Sequence, residues 1–219
     1  MKKYIIGIFF MLLLTGCSNI YDTDYDTLID GTLQEANVKE NTFLEGYKLY
    51  LPNHMTLIGD TDSNNILYSY GDKYYLYVDL ISYYNKRQNE YKIKHEKYEY
   101  SKDIDFNDKK GYVVVSKTKG GNLVEIMYNY AKIEVVTNDV KRAISSSLVV
   151  LKNISYNYKI IDSMIGSNAL VYDSELFTLM GPEDNDTDNF LTYEEEYGVY
   201  EEDEEKTVDE NVIEMESVD

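Results

Sequence analysis

The hydrophobic pattern of the chain changes its period once, and this change constrains the fold more than any other feature. Between residues 42 and 137, short runs rich in Tyr, Val and Ile alternate with turn residues, which is typical of antiparallel strands. Later apolar residues recur at helical intervals of four, four and three, at Val140, Ile144, Leu148 and Leu151. The sequence therefore predicts an α+β fold, with an antiparallel sheet of about five to seven strands covered by a C-terminal amphipathic helix.

The individual strands are predicted from runs that end at Gly, Pro or Asn. A glycine within a three-residue connection predicts a hairpin about Gly71–Lys73, and Lys119–Asn122 predicts a second turn. Residues 82–110 are polar and mixed in charge, and we interpret them as solvated loops and strand faces. The predicted strands are Tyr47–Leu51, Met55–Ile58, Ile66–Tyr70, Tyr74–Ile81, Tyr112–Ser116, Leu123–Tyr130 and Lys132–Thr137.

The first seventeen residues have the order of an export signal. Lys2 and Lys3 precede the apolar run Tyr4–Leu14. At about 1.5 Å per residue, this run is too short to cross a hydrocarbon layer of roughly 30 Å. The run ends in Leu14-Thr15-Gly16-Cys17, which resembles the lipobox of bacterial membrane lipoproteins. The resemblance implies that the signal peptide 1–16 is removed and that Cys17 carries a diacylglyceryl group.

This resemblance also implies a location. A lipoprotein of this kind is held at the cell membrane through its diacylglyceryl group and palmitate, on the extracytoplasmic face of a bacterium. The alternative is a secreted protein in which Cys17 is incidental. Because Cys17 is the only cysteine, no intramolecular disulfide can form, and the exported domain depends on its apolar core.

Charge and polarity divide the rest of the chain into three segments. Residues 17–41 are mostly polar and predict a lipid-anchored linker with one helical turn around Leu33–Val38. Residues 42–181 contain the predicted strands and helix and form the α+β domain. Residues 182–219 carry seventeen Asp and Glu and one Lys, a net charge of −16 out of −19 for the chain. Such a segment repels itself, so we predict a disordered acidic tail.

One spacing within this tail resembles the calcium loop of EF-hand proteins. Carboxylates at Asp184, Asp186, Asp188 and Glu195 occupy the first, third, fifth and twelfth positions of such a loop. Asn189 replaces the usual glycine at the sixth position. Calcium is a hard cation with six to eight oxygen ligands, which makes these residues the candidate metal site. The alternative is chance spacing in an acid-rich segment.

No catalytic constellation is recognisable in the sequence, and we predict that the protein is not an enzyme. His54 and His95 are far apart and lack the spacing of a zinc site. The serines at 145–147 lie within the predicted helix and not in a G-x-S-x-G turn. An acidic chain is also a poor ligand for nucleic acid, so no nucleic-acid partner is expected.

A second resemblance concerns the central domain. The opening Gly46–Pro52 and the helix that contains Ser147-Leu148 look like the PsbP-like α/β/α domains of small lipoproteins, over about residues 42–156. The resemblance implies a non-catalytic binding or accessory role in the cell envelope, with an envelope protein or wall polymer as partner. Two alternatives stay open. One is a calcium-dependent interaction module through residues 184–195, and the other is a cell-wall polymer hydrolase with paired carboxylates.

Overall fold

The computed structural model describes residues 20–60, 64–87 and 93–165, with a 3₁₀ turn at each of Ile20–Asp22 and His95–Lys97. The strands are β1 Thr42–Leu44, β2 Tyr47–Leu49, β3 Thr56–Asp60, β4 Asn64–Ser69, β5 Asp72–Val78, β6 Tyr100–Phe106, β7 Lys109–Thr118, β8 Gly121–Tyr128, β9 Ala131–Thr137 and β10 Ser155–Tyr156. The helices are α1 Tyr25–Gln34, α2 Leu80–Tyr84, α3 Val140–Lys152 and α4 Tyr158–Ile165.

The larger sheet has seven strands in the order β3-β4-β5-β9-β8-β7-β6. Every pair of neighbours is antiparallel. The α+β class and the antiparallel sheet are therefore confirmed, and the strand number is at the upper end of the predicted range. A second sheet, of order β1-β2-β10, was not predicted. The predicted strand Tyr47–Leu51 therefore belongs to this second sheet and not to the larger one, because β2 pairs with β1 and β10.

The main core lies between one face of the larger sheet and two helices. Helix α3 packs on β8 and β9 and also contacts α1. Its apolar stripe is buried against alternate residues of these strands, including Val124, Ile126 and Ile133. We call the opposite side of the sheet the outer face. There, a smaller apolar cluster is formed by Tyr77, Tyr112, Val114 and Met127, with Ile93 and Tyr98 packed against it.

The predicted linker is wrong over much of its length. Residues Tyr25–Gln34 form α1, and Leu28, Ile29 and Leu33 are buried in the main core. The Asp24 carboxylate begins the helix by accepting a hydrogen bond of 2.9 Å from the backbone N–H of Thr27. These three apolar residues span only six positions and lie in a segment rich in Asp, so their helical spacing is a weak signal in the sequence. The packed part of the chain therefore begins before the predicted boundary at residue 42. Of the helical turn predicted at Leu33–Val38, only Leu33 and Gln34 are helical, as the last residues of α1.

The hairpin between β4 and β5 also differs from its prediction. Its connection is the two-residue turn Tyr70–Gly71, in which φ is +51° at Tyr70 and +96° at Gly71. Two consecutive positive φ values match the right-handed twist of the strands on either side. Asp72 and Lys73 therefore belong to β5, and Ile81 lies in α2. Helix α4 is the last described element; residues 166–181 of the predicted domain and the acidic tail lie outside the described residues.

A hairpin turn also fixes the end of α3. Asn129 begins the β8–β9 turn with φ of +56°, and its buried amide donates to the carbonyl oxygens of Leu151 at 3.1 Å and Ile154 at 3.0 Å. We expect Asn129→Ala to lower the free energy of unfolding by about 2 kcal/mol, because two hydrogen bonds from a buried amide are lost. Urea denaturation measures this loss.

The exposed Asn107 offers a matched control for this prediction. It also has a positive φ, of +51°, in the β6–β7 turn, so the backbone cost of alanine is shared by the two positions. The difference between Asn129→Ala and Asn107→Ala therefore reports the two buried hydrogen bonds. Equal losses at the two positions would contradict the assignment.

Candidate functional site

The predicted lipid attachment residue and the predicted calcium ligands lie outside the described residues. These are Cys17, Asp184, Asp186, Asp188 and Glu195. Within residues 20–60, 64–87 and 93–165, no group of three or more His, Cys, Asp or Glu side chains is arranged to hold a metal ion. The calcium loop therefore stays a prediction.

The two histidines lie in different surroundings. His54 lies in the turn before β3, and its Nε2 atom is 3.1 Å from the Oγ of Ser146, a pairing the sequence did not indicate. Burial and the nearby positive charge of Arg142 lower the pKa of His54. His95 instead contacts Asp103, with its Nε2 atom 3.4 Å from a carboxylate oxygen. The histidines do not form a common site.

The 3₁₀ turn at Ile20–Asp22 is attached to the first turn of α3. The Tyr21 hydroxyl donates to Asp139 Oδ2 at 2.9 Å, and this bond raises the pKa of Tyr21. The Lys141 ammonium donates to the Tyr21 carbonyl oxygen at 2.5 Å. Asp139 also caps α3, since its Oδ1 accepts from the backbone N–H of Arg142 at 3.2 Å. The first described residues are thus part of the folded domain.

A second tyrosine, Tyr70 of the β4–β5 turn, lies beside the start of α3. The Arg142 guanidinium lies 4.4 Å from the centre of the Tyr70 ring, and the His54 ring packs against Tyr70 at 5.2 Å. Tyr70 nevertheless keeps 62% of its surface exposed, and Tyr21 keeps 55%. Two exposed tyrosines therefore lie beside each other at the start of α3, close to the N-terminal end of the described chain.

A cleft of about 610 Å³ opens beside Tyr21. Its floor includes Tyr25 and Tyr100, whose rings meet edge to face at 4.9 Å. Burial and a hydrogen bond to Asp26 raise the pKa of Tyr100, which keeps its hydroxyl a donor. The lining consists of Tyr21, Tyr25, Glu99, Tyr100, Val115, Asn122, Asn138, Asp139, Val140 and Lys141. The lining thus combines aromatic rings, carboxamides and one ammonium with two carboxylates, and both carboxylates have partners: Glu99 contacts Lys117 at 2.7 Å and Asp139 caps α3.

A cluster of buried charges lies on the outer face of the sheet. The Lys132 ammonium contacts Glu125 Oε1 at 3.0 Å and Glu134 Oε1 at 2.6 Å. Glu125 and Glu134 are 0% exposed, and Lys132 is 1% exposed. Burial alone disfavours the charged lysine, but the Tyr112 hydroxyl and the two carboxylates raise the pKa of Lys132 well above its usual range.

The register of the sheet explains why this lysine is needed. Glu125 and Glu134 are directly opposite each other on β8 and β9, where like charges repel. Lys132 is two residues from Glu134, on the same face, and its ammonium reaches both carboxylates. The arrangement brings two carboxylates together, as a glycoside hydrolase would require, but holds them where a substrate has no access in this structure.

The comparisons with known proteins concern the N-terminus. Residues 1–18 match the family model of a prokaryotic membrane lipoprotein lipid attachment site. This match supports a bacterial membrane lipoprotein with a signal peptide and a lipid anchor. No curated protein matches the chain. The comparisons give no support to the PsbP-like resemblance of the central domain.

None of the helices within residues 20–60, 64–87 and 93–165 is both long enough and apolar enough to cross a membrane.

The buried charged cluster was not predicted from the sequence, although a signal for it exists. Glu125 interrupts the apolar strand β8, and Lys132 and Glu134 alternate with apolar residues of β9. Such an alternation predicts a strand, but it does not show that the charged side chains are buried. The signal would have been the charge pattern across the two strands, with one lysine between two glutamates, but it depends on knowing the register.

Proposed function

We propose that this protein is a lipid-anchored component of the bacterial cell envelope, tethered through Cys17 on the extracytoplasmic face of the membrane, with a non-catalytic binding or accessory role. The match of residues 1–18 to a lipid attachment site carries this proposal. The attachment of the 3₁₀ turn to α3 is consistent with it, because Ile20, the third residue after Cys17, already packs against the main core of the domain that the anchor would hold.

The described polar groups support a non-catalytic role. The pair His54 and Ser146 resembles part of a nucleophilic dyad, but a general base must become positively charged during the reaction. The guanidinium of Arg142 lies near His54 and opposes that charge. The side chain of Ser146, in α3, is itself buried. The proposed partner is therefore an envelope protein or wall polymer that is bound and not cleaved.

The lipid anchor is tested by Cys17→Ser. A serine hydroxyl cannot replace the thiol as acceptor of the diacylglyceryl group, so we expect complete loss of lipid incorporation and persistence of the uncleaved precursor. Metabolic labelling with an alkyne fatty acid measures the first effect, and the mass of the N-terminal peptide measures the second.

The neighbouring Ser18 provides a control. Ser18→Ala alters the same segment but keeps the thiol, so labelling and processing should match those of the unmodified chain. Lipid incorporation into the Cys17→Ser variant would refute the proposed anchor. The labelling itself is the readout, because an uncleaved signal peptide can also hold a protein at the membrane.

A further inference from the structure

The distance between the lipid and the fold is short. Ile20 is the third residue after Cys17, and three steps along the chain at 3.3–3.6 Å each span at most about 11 Å. Ile20 is already packed against the main core, and Tyr21 is bonded to Asp139 and Lys141. A flexible linker over residues 17–41 would instead have allowed roughly 80 Å of reach. A domain anchored at Cys17 therefore stays beside the lipid head groups.

This short tether also selects which part of the domain faces the bilayer. The surface nearest Ile20 contains Tyr21 and, through Asp139 and Arg142, Tyr70. We define the anchor-side surface as the exposed rings of Tyr21 and Tyr70. These rings have an apolar body and a polar hydroxyl, the combination that is enriched where membrane proteins meet the lipid head groups.

We propose that the anchor-side surface rests in the head-group layer of the bilayer that holds Cys17; this inference rests on the proposed lipid anchor. Asp22 and Asp24 are exposed in the same segment, so attraction to anionic lipid is not what holds the contact. The two tyrosine rings and the short tether hold it. The domain then has one preferred orientation, with the β1–β2 hairpin directed away from the membrane.

The opposite end of the domain is identified by β5. Tyr70 lies in the turn before β5, and Leu80 follows the other end of β5. A Cβ at Gly46, in the β1–β2 turn, would lie 3.4 Å from Leu80, so the β1–β2 hairpin is at that other end. Seven residues of strand separate the two ends by about 20 Å. Phe43, which is 68% exposed in β1, therefore provides a control position of similar character at the far end.

The chain contains no tryptophan, so one substitution introduces a single fluorescent reporter. The full-length lipidated protein, carrying Tyr70→Trp or Phe43→Trp, is reconstituted in phosphatidylcholine vesicles with and without lipids brominated near the head-group end of the acyl chain. We expect the brominated lipids to quench the emission of Tyr70→Trp, with a blue shift on reconstitution, and to leave the emission of Phe43→Trp unchanged. Flotation of the vesicles is measured first.

The outcomes separate this inference from the proposed function. Protein that does not float with the vesicles refutes the lipid anchor itself. Protein that floats while Tyr70→Trp and Phe43→Trp are quenched equally, or not at all, refutes the orientation and leaves the anchor intact. Circular dichroism checks folding, and if Tyr70→Trp does not fold, Tyr21→Trp replaces it with the same expected quenching and the same contradicting result.

Discussion

Replacing Lys132 with Met is expected to lower the free energy of unfolding by about 3–5 kcal/mol, because it leaves two buried carboxylates without their shared cation. The ammonium contacts Glu125 at 3.0 Å and Glu134 at 2.6 Å, and these glutamates are opposite each other in the sheet. Met has a similar length and fills the same space, so the loss measures charge and not a cavity. Urea denaturation at neutral pH followed by circular dichroism determines the loss.

The direction in which the pKa of Lys132 is shifted determines the pH at which unfolding should be measured. Neighbouring groups raise the pKa of Lys132 in the folded protein. A raised pKa contributes stability that is fully present below the unfolded value of about 10.4 and is lost as pH rises through the folded value. Neutral pH therefore reports the whole contribution, and an alkaline titration should remove the difference between the two proteins.

Lys102 is the matched control, since it also bridges two carboxylates. Its ammonium is 3.2 Å from Asp26 and 2.7 Å from Asp30, but both aspartates are exposed. Lys102→Met should therefore lower the free energy of unfolding by less than about 1 kcal/mol. Equal losses at Lys102 and Lys132 would show that burial does not determine the effect.

A second variant tests the cause of the loss directly. Combining Lys132→Met with Glu125→Gln and Glu134→Gln removes all three charges and keeps the shapes of the side chains. Because a buried cluster of ions is often replaceable by neutral groups at little cost, much of the lost stability should return. A triple variant no more stable than Lys132→Met alone would argue against charge repulsion.

The sequence predicted those parts of the fold whose hydrophobic period is local. The interval of apolar residues from Val140 to Leu151 coincides with α3, and alternation in β8 and β9 identified both strands. The same reasoning missed α1, because its buried residues form only two helical turns within an acidic segment. Their burial depends on contact with α3, more than a hundred residues later, which local periodicity cannot reveal.

The candidate site was less predictable than the fold. The lipobox is contiguous, so its residues could be recognised at once, whereas the anchor-side surface joins Tyr21 to Tyr70 through residues of α3. The Lys132 cluster likewise needs the register of β8 against β9. Pairings across long separations in sequence follow from topology, and a single sequence offers no direct measure of it.

Gly111→Ala is the second substitution with a large expected effect. A Cβ at this position would lie 2.0 Å from the carbonyl oxygen of Met127 and 3.2 Å from the Cα of Tyr128, both in the backbone of β8. No side-chain rotation relieves such a contact, so β7 and β8 must separate locally. We expect a loss of about 3 kcal/mol or more in the free energy of unfolding, or failure to fold.

Gly31 in α1 shows the opposite case and serves as the control. An added Cβ there has no atom within 4 Å, and the residue lies inside a helix. Alanine restricts the unfolded chain and favours the helix, so Gly31→Ala should raise the free energy of unfolding by about 0.5–1 kcal/mol. A loss of stability in Gly111→Ala together with a gain in Gly31→Ala would show that glycine is required at position 111 because the backbone of β8 lies so close. A stable, fully folded Gly111→Ala protein would mean that β7 and β8 are farther apart at this point than described.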